Sequence, residues 1–136
     1  AVMMAVDEKK RVLLVRQYRL PAEKYLWELP AGKLDEGEKP LQAAKRELAE
    51  ETGYRAKTVK KIWQGFASPG YSNEVLQFFL ARDLELREQS PDEDEFVEVE
   101  LIDLDKCFAL IKSGAIKDSK TFIGVMIADL HRRGKL

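Results

Sequence analysis

The sequence predicts an α/β fold in which a mixed β-sheet is covered by helices. Two kinds of pattern and their order carry that prediction. β-rich apolar runs recur along the chain, and one of them, Phe96–Leu101, alternates apolar and acidic residues as a half-buried strand does. Pro40–Thr52 has the start, spacing and stop of a helix. The elements follow one another as strands, helix, strands and two closing helices, which places helices against a sheet with both parallel and antiparallel neighbours.

Val2–Val6 and Arg11–Tyr18 are apolar runs separated by the charged stretch DEKK, and they read as a hairpin or as two neighbouring strands. PAEKYLWELPAGKLDEGEKP mixes turn residues with Tyr25, Leu26 and Trp27, so it reads as irregular chain with a short strand around Trp27. Pro40 suits the first helical position and Gly53 the stop, while Leu41, Ala44 and Leu48 make the expected buried face. Lys39 is a poor cap, which Glu38 offsets in part by lying near the positive end of the helix dipole. Lys57–Ala67 and Glu74–Asp83 read as strands joined by the turn-rich SPGYSN. Asp103–Lys112 and Ser119–Arg132 read as the closing helices, the second lined on one side by Phe122, Val125, Met126 and Leu130.

The totals bound the function. A chain of 136 residues predicts a single domain, 1–136, with room for a real core, and the absence of an initiator Met before a strand-like start reads as missing upstream sequence. A net charge of -1 and short, aromatic-poor basic stretches (KKR near the start, HRRGKL at the end) predict no nucleic-acid partner. No apolar run is long enough to span a bilayer, so no membrane partner is predicted. The single cysteine, Cys107, reads as a small core residue in a reducing, cytoplasmic setting. His131 is the only histidine and lies near the C-terminus, which leaves acid–base chemistry to carboxylates.

The informative anomaly is the end of the first helix. Glu47 lies three and four residues before Glu50 and Glu51, so all three acids share a face near the negative pole of the dipole. Each like-charge pair at this spacing opposes the helix by roughly 0.2–0.5 kcal/mol. The dipole adds roughly 0.3–1 kcal/mol per exposed charge. Arg46, four residues before Glu50, relieves only part of this. A divalent cation would reverse the sign of every one of these terms, and a hard ion such as Mg²⁺ takes oxygen ligands. Taken alone, the same acids also read as a solvated face of a highly charged chain.

The wider spacing resolves the choice. Gly32, five residues, Glu38, seven residues, then Arg46-Glu47-Leu48-Ala49-Glu50-Glu51-Thr52-Gly53-Tyr54 resembles the Nudix box at all seven of its fixed positions. Tyr54 stands where that pattern has an aliphatic residue. The resemblance implies an α/β/α sandwich and hydrolysis of a nucleoside diphosphate linked to another moiety, with Mg²⁺ or Mn²⁺ as cofactor. It implies Glu47 and Glu51 as metal ligands, Glu50 as a ligand or catalytic support, Arg46 as the salt-bridge partner of a carboxylate and Glu38 as a brace of the loop–helix junction. It also implies the backbone carbonyl of Ala31 as part of the metal shell.

SPGYSNE, with Pro69 sixteen residues after Gly53, is similar to the ADP-ribose pyrophosphatase subfamily, as are VLLVRQYR, WELPAGKLDEGE and KDSKTFIG. That likeness implies conversion of ADP-ribose and water into AMP and ribose 5-phosphate. Arg19 would bind phosphate, and Glu28 and Glu74 would accept ribose hydroxyls. Trp27, Tyr71 and Phe66 are candidates to stack on adenine, with core packing favoured for Trp27 and Phe66. The acidic stretch around residues 92–95 is expected to supply Glu93 as base and Glu95 as a further ligand. Similar enzymes are homodimers, so a homodimer is expected of the full-length protein. The alternatives are a Nudix enzyme for another nucleotide and a non-catalytic nucleotide sensor, which would be expected to lack one of the box glutamates.

Overall fold

The computed structural model describes residues 1–87 and 98–136. In chain order the elements are β1 (Val2–Ala5), β2 (Arg11–Arg19), a 3₁₀ turn (Leu20–Ala22), β3 (Lys24–Glu28), α1 (Pro40–Thr52), β4 (Tyr54–Phe66), β5 (Val75–Leu86), β6 (Glu98–Asp103), α2 (Leu104–Ser113) and α3 (Ser119–Arg132). They form two three-stranded sheets, β1-β5-β4 and β3-β2-β6. The first is mixed, with β1 parallel and β4 antiparallel to β5, and the second is antiparallel throughout.

The two sheets behave as one layer because both feed the same two cores. Alternate residues on a strand point to opposite faces. Met3 and Ala5, Leu13, and Phe79 and Ala81 meet Ala44 and Leu48 of α1 on one side. Val2 and Met4, Val12 and Leu14, and Phe78 and Leu80 meet Leu104, Cys107, Val125 and Ala128 of α2 and α3 on the other. The result is the expected α/β/α sandwich, and all four residues of β1 are buried because helices cover both faces. Burial, with the charge of Asp103 as a lesser cause, pushes the Cys107 thiol up to about 11, so it is a core group and not a nucleophile.

Several details depart from the sequence reading. β1 and β2 do not form a hairpin: they share one isolated bridge, Val6 to Val12, and lie in different sheets. DEKK closes through the carboxylate of Asp7, which accepts from the backbone N–H groups of Lys9 and Arg11, while β1 runs on beside β5. Leu41 is exposed and Ala43 takes its place on the buried face of α1. On α3 the buried set is Thr121, Gly124, Val125, Ile127 and Ala128, which leaves Phe122 and Leu130 partly exposed. Phe66 is also exposed rather than in the core, whereas Trp27 is half-buried against it.

The ends of α1 follow from its sequence. Lys39 supplies no capping side chain, and Pro40 occupies a position whose N–H would go unbonded in any case. Gly53 adopts φ of 76° and donates its N–H to the carbonyl of Ala49, the left-handed stop that a residue without Cβ takes at little cost. β4 begins at the next residue, three earlier than its sequence pattern indicates.

Candidate active site

The site is built where α1 meets the loop that precedes it. Arg46 is the hub. Its Nε and Nη2 grip both oxygens of Glu38, at 2.8 and 2.9 Å. Nη1 reaches Glu47 at 2.9 Å and Glu50 at 3.1 Å, and Nη2 also meets the backbone carbonyl of Lys33 at 3.3 Å. A planar guanidinium with five donors can tie a loop to a helix in this way, and a lysine ammonium cannot. The reading of Glu38 as a brace agrees with this geometry. The same carboxylate also accepts the N–H of Asp35 and so closes the loop on itself.

This network acts on the acids in opposite directions. The hydrogen bonds from Arg46 first, and that from the Asp35 backbone second, pull Glu38 down from 4.5 to about 2. Glu47 shifts the other way. Burial raises it, the bond and charge of Arg46 lower it, and the charges of Glu50 and Asp35 raise it again. For Glu38 the linkage is that of a depressed acid: its contribution to stability is complete above 4.5 and disappears as pH falls through about 2. Replacing Glu38 with Gln is therefore expected to flatten the pH dependence of the melting temperature between pH 4.5 and 2. Calorimetric scans across that window check this, and an unaltered acid limb refutes it.

Gly32 lies directly against Glu47. A Cβ added at Gly32 would fall 2.1 Å from Cδ of Glu47 and 2.4 Å from its Oε1. The bare Cα therefore gives the carboxylate its place beside the loop. Ala31, Gly32 and Lys33 line a cleft of about 430 Å³ whose far wall includes Glu74, Val75 and Lys120. Glu74 and Tyr71 are exposed, and Glu74 borders this cleft.

Arg19 and Glu28, read from the sequence as separate substrate contacts, are partners in the structure. Nε and Nη2 of Arg19 donate to Glu28 at 2.7 and 2.9 Å, and Nζ of Lys120 donates to the same carboxylate at 3.1 Å. The Glu28 side chain is only 3% exposed, so its two cations hold a buried charge that would otherwise be unfavourable. The hydrogen bonds that Arg19 donates to Glu28 raise the Arg19 pKa, and the charges of Glu28, Asp118 and Glu51 raise it further. Sequence reasoning gave no role to Lys120, Asp118 or Thr121. The available signal was Asp118 three residues before Thr121, the spacing of a helix cap. Glu93 and Glu95 lie outside the described residues.

The donor set suits a hard divalent cation in one specific sense. Among the described residues, no group of three His, Cys, Asp or Glu side chains is arranged to hold an ion by itself. What the site offers is oxygen donors on one helix face, the room that Gly32 leaves for Glu47, and a neighbouring cleft. Mg²⁺ is commonly bound through one or two carboxylates with water and substrate phosphates completing the shell, so these residues fit it as an open site and not as a closed cage.

A hydrolase domain of α/β/α architecture with an arginine-centred acidic helix is the class that fold and site define. The NUDIX domain family matches residues 1–123, and the chain belongs to that family. It is an ADP-ribose pyrophosphatase-like Nudix hydrolase. The chain is 41% identical over 130 residues to an ADP-ribose pyrophosphatase of Bacillus subtilis, covering 94% of this chain and 70% of that one. It is 39% identical over 131 residues to a methanol dehydrogenase activator of Bacillus methanolicus, covering 95% and 71%. It is also 35% identical over 129 residues to a GDP-mannose pyrophosphatase of Yersinia enterocolitica, covering 88% and 67%. A solved structure of an ADP compounds hydrolase shares the fold with a TM-score of 0.84 at 23% identity, covering 99% of this chain and 75% of that one. Among the described residues, no helix is long and apolar enough to cross a membrane.

Proposed function

We propose that the protein hydrolyses the diphosphate linkage of ADP-ribose, adding water across the P–O–P anhydride to give AMP and ribose 5-phosphate. The observation that carries this reading is the seating of Glu47 against Gly32, which itself lines a cleft of about 430 Å³. When bound, Mg²⁺ or Mn²⁺ supplies charge neutralisation of the diphosphate and acidifies water. Glu47 and Glu51 would hold the ion with the Ala31 carbonyl, and Glu50 would support them. Arg46 fixes the rotamers of Glu47 and Glu50 and ties them to the loop. Lys33 and Lys120 line the cleft and provide positive charge for the phosphates. Arg19 commits two of its five donors to Glu28, and the rest serve the same end. Glu74 is the hydroxyl acceptor for ribose, with Glu93 or Glu95 as base. Glu28 acts by holding Arg19 and Lys120 in place.

The reading includes a homodimer, supported by the solvent-facing Tyr18, Leu20 and Tyr25 at one end of β2 and β3. One experiment tests both parts. The protein is assayed in Mg²⁺ with ADP-ribose, GDP-mannose and a nucleoside triphosphate, products are identified, and its mass is measured by light scattering. AMP and ribose 5-phosphate at the highest kcat/KM, from a particle of twice the 15.6 kDa chain mass, is the expected result. Preference for GDP-mannose replaces the substrate, and a monomeric mass removes the dimer.

A further inference from the structure

The loop that carries Ala31 and Gly32 changes sheets. Glu28 is the last residue of β3 and pairs with Val15 of β2. Two residues later the Pro30 carbonyl accepts the N–H of Met3 at 2.9 Å, and Ala31 bridges Val2, so the chain now runs beside β1 in the other sheet. Leu29 stands at the crossing and is only 1% exposed. A buried N–H at such a switch needs an acceptor from elsewhere.

α3 supplies it. Thr121, fully buried, accepts the Leu29 N–H on its Oγ1 at 3.0 Å. The same hydroxyl donates to Oδ2 of Asp118 at 2.6 Å, which orients its lone pairs towards Leu29. One turn further along, Gly124 leaves room for the Leu29 side chain: a Cβ there would lie 2.2 Å from Cδ1 of Leu29. Lys120 meanwhile joins Glu28 to Asp118, at 3.1 and 2.9 Å. Residues 28 and 29 are thus anchored to α3, 30 and 31 to β1, and 32 rests on Glu47.

We infer that Thr121 is a positioning residue for the metal-binding loop: through the Leu29 amide it sets where the Ala31 carbonyl and the Gly32 Cα stand relative to Glu47. The inference rests on the assignment of Glu47 and Ala31 as ligands made above. Thr121 touches neither substrate nor ion. It fixes the backbone two residues upstream of a ligand, at a distance where few bonds separate the anchor from the donor.

The test is Mn²⁺ binding to the purified, nucleotide-free protein, followed by electron paramagnetic resonance, with Thr121→Val and Thr121→Ser compared against the unmodified chain. Valine keeps the shape and removes the acceptor, and Mn²⁺ affinity is expected to fall about tenfold, at the lower end of what partners outside a metal's ligand set contribute. Serine restores the hydroxyl and is expected to bind within about twofold of the unmodified protein, the rescue expected if its oxygen satisfies the buried amide in place of threonine's. A merely structural role predicts a lower melting temperature for Thr121→Val with unchanged Mn²⁺ affinity, and that result overturns the inference. Should the valine variant fail to fold, Gly124→Ala serves instead. Its methyl pushes on the flexible end of Leu29, weaker Mn²⁺ binding supports the inference, and unaltered binding overturns it. Absence of Mn²⁺ binding by the unmodified protein removes the ligand assignment itself, and the inference falls with it.

Discussion

Glu47→Gln is expected to lower kcat for ADP-ribose hydrolysis about 10³-fold, equivalent to roughly 4 kcal/mol of transition-state stabilisation. The metal-free melting temperature is expected to stay level or rise. The activity loss follows from removing a charged oxygen donor that the loop and Arg46 hold in place. The stability result follows from the direction of the Glu47 shift. Burial is the largest single influence on its pKa and raises it, the bond and charge of Arg46 lower it, Glu50 and Asp35 raise it, and the balance is a rise. An acid that ionises less readily in the folded state than in the unfolded one opposes folding whenever it is charged. Glutamine keeps an acceptor for Arg46 and discards that charge. Steady-state kinetics in Mg²⁺ and a thermal melt in chelator decide the matter, and activity within threefold of the unmodified protein would sink the assignment.

Gly32→Ala is the second large effect, with an expected loss of about 10²-fold in kcat/KM and little change in melting temperature. Gly32 is not among the glycines with positive φ, so the backbone accepts alanine without strain. The added methyl instead meets the flexible end of Glu47 at 2.1–2.5 Å and must displace it. Misplacement of a reacting or binding group by about 1 Å is enough for a hundredfold loss. A double variant separates displacement from any other cause. If Gly32 acts through Glu47, alanine should do no further harm in a Glu47→Gln background, whereas additive losses would place its effect elsewhere.

Much of this architecture could be read before any coordinates. The α/β/α class and both boundaries of α1 were legible because Pro40 and Gly53 act through local backbone chemistry. The boundaries of α3 were legible too, though its buried face was not. Leu41, Ala44 and Leu48 fit a helical stripe as well as Ala43, Ala44 and Leu48 do, and only the position of the sheet decides between them. The separation of β1 from β2 was hidden for a related reason. A strand buried on both faces carries no alternation to show which neighbour it joins. The acidic helix was legible because its charges oppose the dipole. The pairing of Arg19 with Glu28 was not, since each residue alone looks like a ligand and their meeting depends on the ends of β2 and β3. Thr121 was silent because a threonine in Asp-Ser-Lys-Thr reads as local capping and says nothing of a contact to Leu29, ninety-two residues distant.

The crossing at Leu29 divides labour within the molecule. The loop proposed to hold the metal is also the stitch that fastens both halves of the β layer, so a change there is expected to disturb the fold as well as the site. The opposite rim, around Tyr71 to Val75, hangs on a hairpin end with no such obligation. Under the proposed function, substitutions on that rim are expected to shift the preferred sugar while leaving cleavage of the anhydride in place.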